Sequence, residues 1–170
     1  MHQYRDPNRA DAQLCARALA IRLNNRAWDL IEREHRTIAE TDEMLDAARA
    51  ARELWAIATG SRSNIERLRA HQAVACAHYR AGHREAALHA ARLADIEERS
   101  LSRGVTQFDH VMTMVAMHLA ALLNFGAPSN DVLMDMVEHL GREERELLSR
   151  ILPWPKERFA IELEHPVLPL

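Results

Sequence analysis

No stretch of the chain carries the glycine-rich loop that cradles a phosphate, the HExxH of a zinc protease, or the GxSxG of a serine nucleophile. Cysteine is scarce: Cys15 and Cys76 sit in alanine-rich stretches without a CxxC spacing, which excludes the usual zinc ribbons. A reduced pair fits this pattern best, with a single disulfide between them as the alternative. Five glycines, six prolines and 5% aromatics are too few for a turn-rich β fold. Basic excess is missing too, because 22 Lys and Arg face 25 Asp and Glu, and the net charge of −3 draws no polyanion. The start, MHQYRDPNRADAQ, is too polar for a signal peptide, and no apolar run reaches the roughly 18 residues of a membrane span. These absences lead to the expectation of a cytoplasmic protein without nucleic acid or membrane as partner.

What is present favours helix. Alanine, leucine, arginine and glutamate dominate, and 170 residues suffice for one real core. The punctuation predicts about seven helices in a single all-α domain spanning 11–152, after a flexible start (1–10) and before a proline-bracketed tail (153–170). A first helix is expected over Asp11–Glu34, with Leu14, Ala18, Ile21, Trp28 and Ile31 along one face. Thr37 and Thr41 open a second, which carries Met44, Leu45, Ala48, Arg52 and Trp55 and stops at Gly60. Ser63, with Glu66 three residues on, reads as the capping box of a third helix. That helix places Ile65, Leu68, Gln72, Ala75 and Tyr79 on one stripe and ends at Gly82.

The fourth helix, Arg84 to Glu98, offers the small residues Ala87, Ala91 and Ala94 for close approach of a neighbour. A fifth, Gln107 to Asn124, is apolar nearly all round, the mark of a buried helix or of one covered by a partner. Ser129 caps a sixth helix that Gly141 closes, and REERELLSRIL forms a seventh, ended by Pro153. The alternation in RFAIELE suits a strand or an extended docking arm.

Helix pairs joined by short loops suggest a repeat, and Gly82 and Gly126 lie 44 residues apart, each ending a long helix. Around Gly82, the residues Ala75, Tyr79, Ala87, Ala91 and Ala94 stand where a tetratricopeptide hairpin places its packing residues. Pro128 and Asp131 interrupt the second unit, which makes the chain repeat-like rather than a strict array. From about Asn24 to Pro153 the chain resembles an uncharacterised bacterial family of short tetratricopeptide-like proteins. The resemblance rests on AWDLIE, DEMLDAARAARELW, YRAGHREAALHAARLADIEE, FD and REERELLSRILP, in that order. It implies antiparallel hairpins stacked as a right-handed superhelix, and no established catalytic activity. The sequence departs from the family pattern at Arg49 and Leu54, where histidines are expected, and in its methionine-rich fifth helix.

The function expected from this pattern is binding, not catalysis: recognition of a protein or peptide on the inner face lined by the first helix of each pair. On the third helix that face would carry Arg69, Gln72, Cys76, Tyr79 and Arg80, with Arg69, Gln72, Tyr79 and Arg80 as the candidate peptide contacts. On the fifth it would show Thr113, Ala116, Ala120, Leu123 and Asn124.

Two alternatives stand beside it. Ten histidines raise a helical metalloprotein, with His71 and His78 on one face and His110 and His118 on another. Only one ExxH (Glu32, His35) is found where a di-metal bundle needs two, so no metal or cofactor is assigned. The apolar fifth helix and the tail raise self-association, as a homodimer. Trp28 and Trp55 read as core anchors, and Arg52 as a partner of Asp29.

Overall fold

Seven helices and no strand are found among the described residues, which are 7–59, 64–101, 103–126 and 131–154 of the computed structural model. They are α1 (Pro7–Ile31), α2 (Ile38–Thr59), α3 (Ile65–Arg80), α4 (Arg84–Ser100), α5 (Gln107–Phe125), α6 (Asp131–Glu138) and α7 (Arg142–Ile151). The proposed stop at Gly60, the caps at Ser63 and Ser129, and the RFAIELE arm lie outside the described residues.

Side-chain caps set several starts. Thr37 and Glu40 exchange bonds before α2: the Thr37 amide donates to Glu40 Oε2 at 2.8 Å, and the Glu40 amide donates to Thr37 Oγ1 at 3.2 Å. Thr106 and Asp109 make the same reciprocal pair at α5. At α3 the cap is Asn64, one residue beyond the expected Ser63; its side-chain oxygen accepts from the Arg67 amide at 2.9 Å. Both residue types can cap, and the extended backbone of Asn64 decides it. α1 starts earlier than expected, at Pro7, a residue suited to a first turn because it has no amide to leave unpaired.

Gly82 ends α3 with φ +73°, a left-handed conformation that side chains resist. No atom lies within 4 Å of where a Cβ would stand there, so the cost of a side chain is conformational alone. Gly82→Ala is expected to cost about 1 kcal/mol and lower the thermal midpoint by about 3 °C, measured by circular dichroism.

The helices pair as hairpins, α1 with α2 and α3 with α4, and each hairpin packs on the next. α3 touches both α2 and α1, and α5 touches both α4 and α3, so the first helices of three pairs lie side by side. Alanine makes these approaches possible: Ala87, Ala90, Ala91 and Ala94 of α4 are buried, as are Ala73, Ala75 and Ala77 of α3. The expected stripe on α1 is corrected in its first half. Leu14, Ala18 and Ile21 face solvent, while Ala16 and Ala20 are buried, with Ala20 packed against Trp55 and Ala70. The small residues face inward because they let α1 come close to its neighbours.

α5 is long and apolar enough, by length and composition, to cross a membrane, a test that a buried core helix also passes. Here it packs against α3, α4 and α6, and one face buries Val111, Val115 and Leu119. α7 returns to the first hairpin. Its Arg150 meets Glu32, just past the end of α1, at 3.3 Å, and Arg80 of α3 donates to the Arg150 carbonyl at 3.0 Å.

Candidate functional site

A pocket of about 360 Å³ opens where α1, α3 and α5 meet, with α7 at its edge. The spacing 24, 28, 32 turns Asn24 and Trp28 of α1, and Glu32 just past its end, toward it, one turn apart each. α3 supplies Arg69 and Gln72, α5 supplies Phe108, Asp109 and Met112, and α7 supplies Leu147. Trp28, Phe108, Met112 and Leu147 form the apolar wall. Such a volume, largely apolar with a few fixed polar groups, is the usual build of a small binding site.

The polar groups are held by one another. Asp109, nearly fully buried, accepts a forked pair from Arg69: Nε to Oδ1 at 2.7 Å and Nη2 to Oδ2 at 3.2 Å. Burial alone would raise the Asp109 carboxyl, but the bonds from Arg69 and from Thr106 hold it below its ordinary range. Gln72 spends its amide hydrogens on the Asp109 carbonyl at 2.8 Å and on Thr113 Oγ1 at 3.0 Å. α3 and α5 are therefore fastened at this point by a polar clasp inside an apolar interface. Glu32 is different. Burial raises its pKa, and the Arg150 charge opposes that rise.

The lining holds no histidine, cysteine or hydroxyl side chain, and its two carboxylates each face an arginine. It offers shape, apolar surface and hydrogen-bond acceptors. One acceptor is unused: Asn24 Oδ1 is buried with no hydrogen-bond partner. What the arrangement supplies is an apolar wall, one partnerless amide oxygen and two carboxylates paired with arginine.

Compared with protein-family models, with curated proteins and with solved structures, the chain finds no match. Its site therefore stands on its own geometry.

Of the four candidate contacts, the structure brings Arg69 and Gln72 together at the pocket. Arg69 keeps about half its side chain in solvent, whereas Gln72 is buried. Tyr79 and Arg80 are not in its lining. Tyr79 is half-buried against the core, and burial pushes its phenol upward. Arg80 binds the ends of two helices, donating from Nε to the Ile31 carbonyl at 2.9 Å and from Nη2 to the Arg150 carbonyl. Carbonyls at helix ends lack partners within the helix, so the guanidinium acts as a shared cap, joined at Ile31 by Arg36. Cys76 is fully buried and its thiol is pushed up to about 12, while Cys15 is exposed; both are free thiols. On α5, Thr113, Ala116 and Ala120 are buried rather than displayed, and Asn124 donates to the Arg84 carbonyl at 3.0 Å. Arg52 pairs with Glu53, its sequence neighbour, and not with Asp29.

Sequence reasoning assigned Asn24, Phe108, Asp109 and Leu147 to no site, and read Glu32 only as half of an ExxH. Asn24 and Glu32 were legible as partners of Trp28 at intervals of four. Asp109 was legible as the fourth residue of a T-x-x-D cap. The histidines do not gather at this pocket: His71 and His78 are buried in α3, and His110 and His118 line a different cleft. Among the described residues no three His, Cys, Asp or Glu side chains come together as metal ligands.

Proposed function

We propose that this chain is a recognition module of tetratricopeptide-like build that binds an extended peptide or a protein segment. The pocket between α1, α3 and α5 would take one bulky apolar side chain. The supporting observation is its position, where the first helices of three successive pairs converge on an apolar wall rimmed by Arg69 and Asn24. In stacked helix pairs this is the side on which extended ligands lie. Trp28 and Phe108 supply rigid apolar contact area at little entropic cost, and the spare N–H groups of half-exposed Arg69 suit a peptide carbonyl or carboxylate. Asn24 Oδ1, buried and without a partner, would accept from a ligand N–H that reaches it.

Panning a random peptide library against the full chain tests this reading. The expected outcome is a consensus with one large apolar residue. Affinity should fall about 30-fold in Trp28→Ala and in Phe108→Ala, the loss typical of an anchor residue, with helicity and thermal midpoint checked for each. Failure to enrich any peptide, or enriched peptides that bind wild type and both variants alike, would overturn the proposal.

A further inference from the structure

A second cleft, of about 410 Å³, lies on another side of α5, between α4 and α6. Its floor is apolar, with Met114, Met117 and Ala121 from α5 and Val132 and Leu133 from α6. Its α4 side carries two carboxylates, Asp95, which Arg99 meets at 2.9 Å, and Glu98. Glu98 bonds His110 through Oε1, yet its Oε2 is buried without a hydrogen-bond partner. A buried carboxylate oxygen left in this state favours a donor arriving from elsewhere.

The chain itself leads to this cleft. Trp154 stands edge-on to His118, ring centroids 5.5 Å apart, and His118 belongs to the lining. The next residues read PKERFAIEL, positions 155–163. In an extended conformation Phe159, Ile161 and Leu163 share one side, and Lys156 and Arg158 take the other. Pro153 and Pro155 favour extended backbone at Leu152 and Trp154, from which the segment leaves the fold. The five residues from Trp154 to Phe159 reach up to about 17 Å extended, while Met114 lies about 6 Å from His118 along the helix axis. Docked in this way, the apolar side chains would meet the apolar floor and the basic ones would come within reach of Asp95 and Glu98.

We propose that residues 155–163 dock in the cleft between α4, α5 and α6 of their own chain, with Phe159 and Ile161 on Met114 and Met117 and Arg158 at Glu98. The inference is independent of the pocket at Trp28, which lies on another face of α5.

Photo-crosslinking in the full chain tests it. With p-benzoylphenylalanine in place of Phe159, irradiation is expected to give adducts on Met114 or Met117. In a mixture of ¹⁵N-labelled and unlabelled protein the adducts should join residues of one chain only. Adducts on other helices, adducts joining two chains, or no adduct would each overturn the proposal, the second by making the occupant another copy. A peroxide time course supplies an independent readout. In the double variant Ile161→Asp with Leu163→Asp, oxidation of Met114 and Met117 should quicken by about threefold or more, because thioether oxidation follows exposure. Buried Met44 reports whether the fold has stayed intact. Unchanged rates at Met114 and Met117, with Met44 protected, would count against docking.

Discussion

Asp109→Ala is expected to destabilise the domain by about 3 kcal/mol, which is large for one side chain. Three losses add up at this position. The forked bond to Arg69 disappears, the Thr106 amide and hydroxyl lose their acceptor at the start of α5, and a nearly fully buried volume is left partly empty. Charge-assisted bonds and helix caps contribute about 1–3 kcal/mol each when broken. Arg69 tempers the sum, because its half-exposed guanidinium regains water once its partner has gone. Asp109→Asn should cost less, since an amide oxygen still caps α5 while the charge is lost. The pair Arg26–Glu43 makes a useful control. It joins α1 to α2 at 2.7 Å, but in solvent, so Glu43→Ala should leave the urea midpoint almost where it was. Equilibrium urea unfolding of the three variants decides the matter. An Asp109→Ala midpoint equal to that of wild type would mean that the clasp between α3 and α5 does not hold them together.

Acid is expected to weaken the fold well above the pH at which carboxylates protonate. His71 and His78 are buried in α3, and burial lowers each to about 4 from an ordinary value of 6.5. The charges of Arg52 and Arg67 near His71, and of Arg49 and His83 near His78, act in the same direction. A depressed pKa means that the unfolded chain binds the proton first. Stability from these groups is therefore complete above pH 6.5, declines as pH falls through that value, and is exhausted below about pH 4. For His71 the gap corresponds to about 3 kcal/mol, and His78 adds to it with the same sign.

Asp109 enters later. Its carboxyl is held below the ordinary 3.8, so its contribution lasts until pH falls under that value. Urea midpoints measured from pH 7.5 to 4.5 should fall steadily, and His71→Gln should flatten much of the slope. A wild-type midpoint constant across that range would show that neither imidazole is kept neutral by the fold.

The helices were legible because their ends are written in local chemistry. Thr37 with Glu40, and Gly82 with its left-handed backbone, need no tertiary information to be found. The error at Asn64 came from two adjacent capping residues, a choice that backbone conformation alone settles. Side-chain facing was harder to see. Leu14 and Ile21 look like core positions by periodicity, yet Ala16 and Ala20 take those places because the helices pack closely.

The site was half legible. Arg69 and Gln72, read together from α3, both line the pocket, but what meets them comes from 36 or more residues away in α5 and α7. Arg80 illustrates the limit. Its partners are backbone carbonyls of α1 and α7, and no side-chain pattern announces a carbonyl as a ligand.

The central claim, that the pocket at Trp28 is where a ligand lies, is tested most directly by an amide and indole chemical-shift map. A peptide from the library selection is titrated into ¹⁵N-labelled full chain. The predicted result is a saturating shift of the Trp28 indole N–H, with Asn24, Arg69 and Phe108 moving alongside and the Met114–His118 cleft unmoved. Saturable binding that shifts the cleft residues and leaves Trp28 still would contradict it.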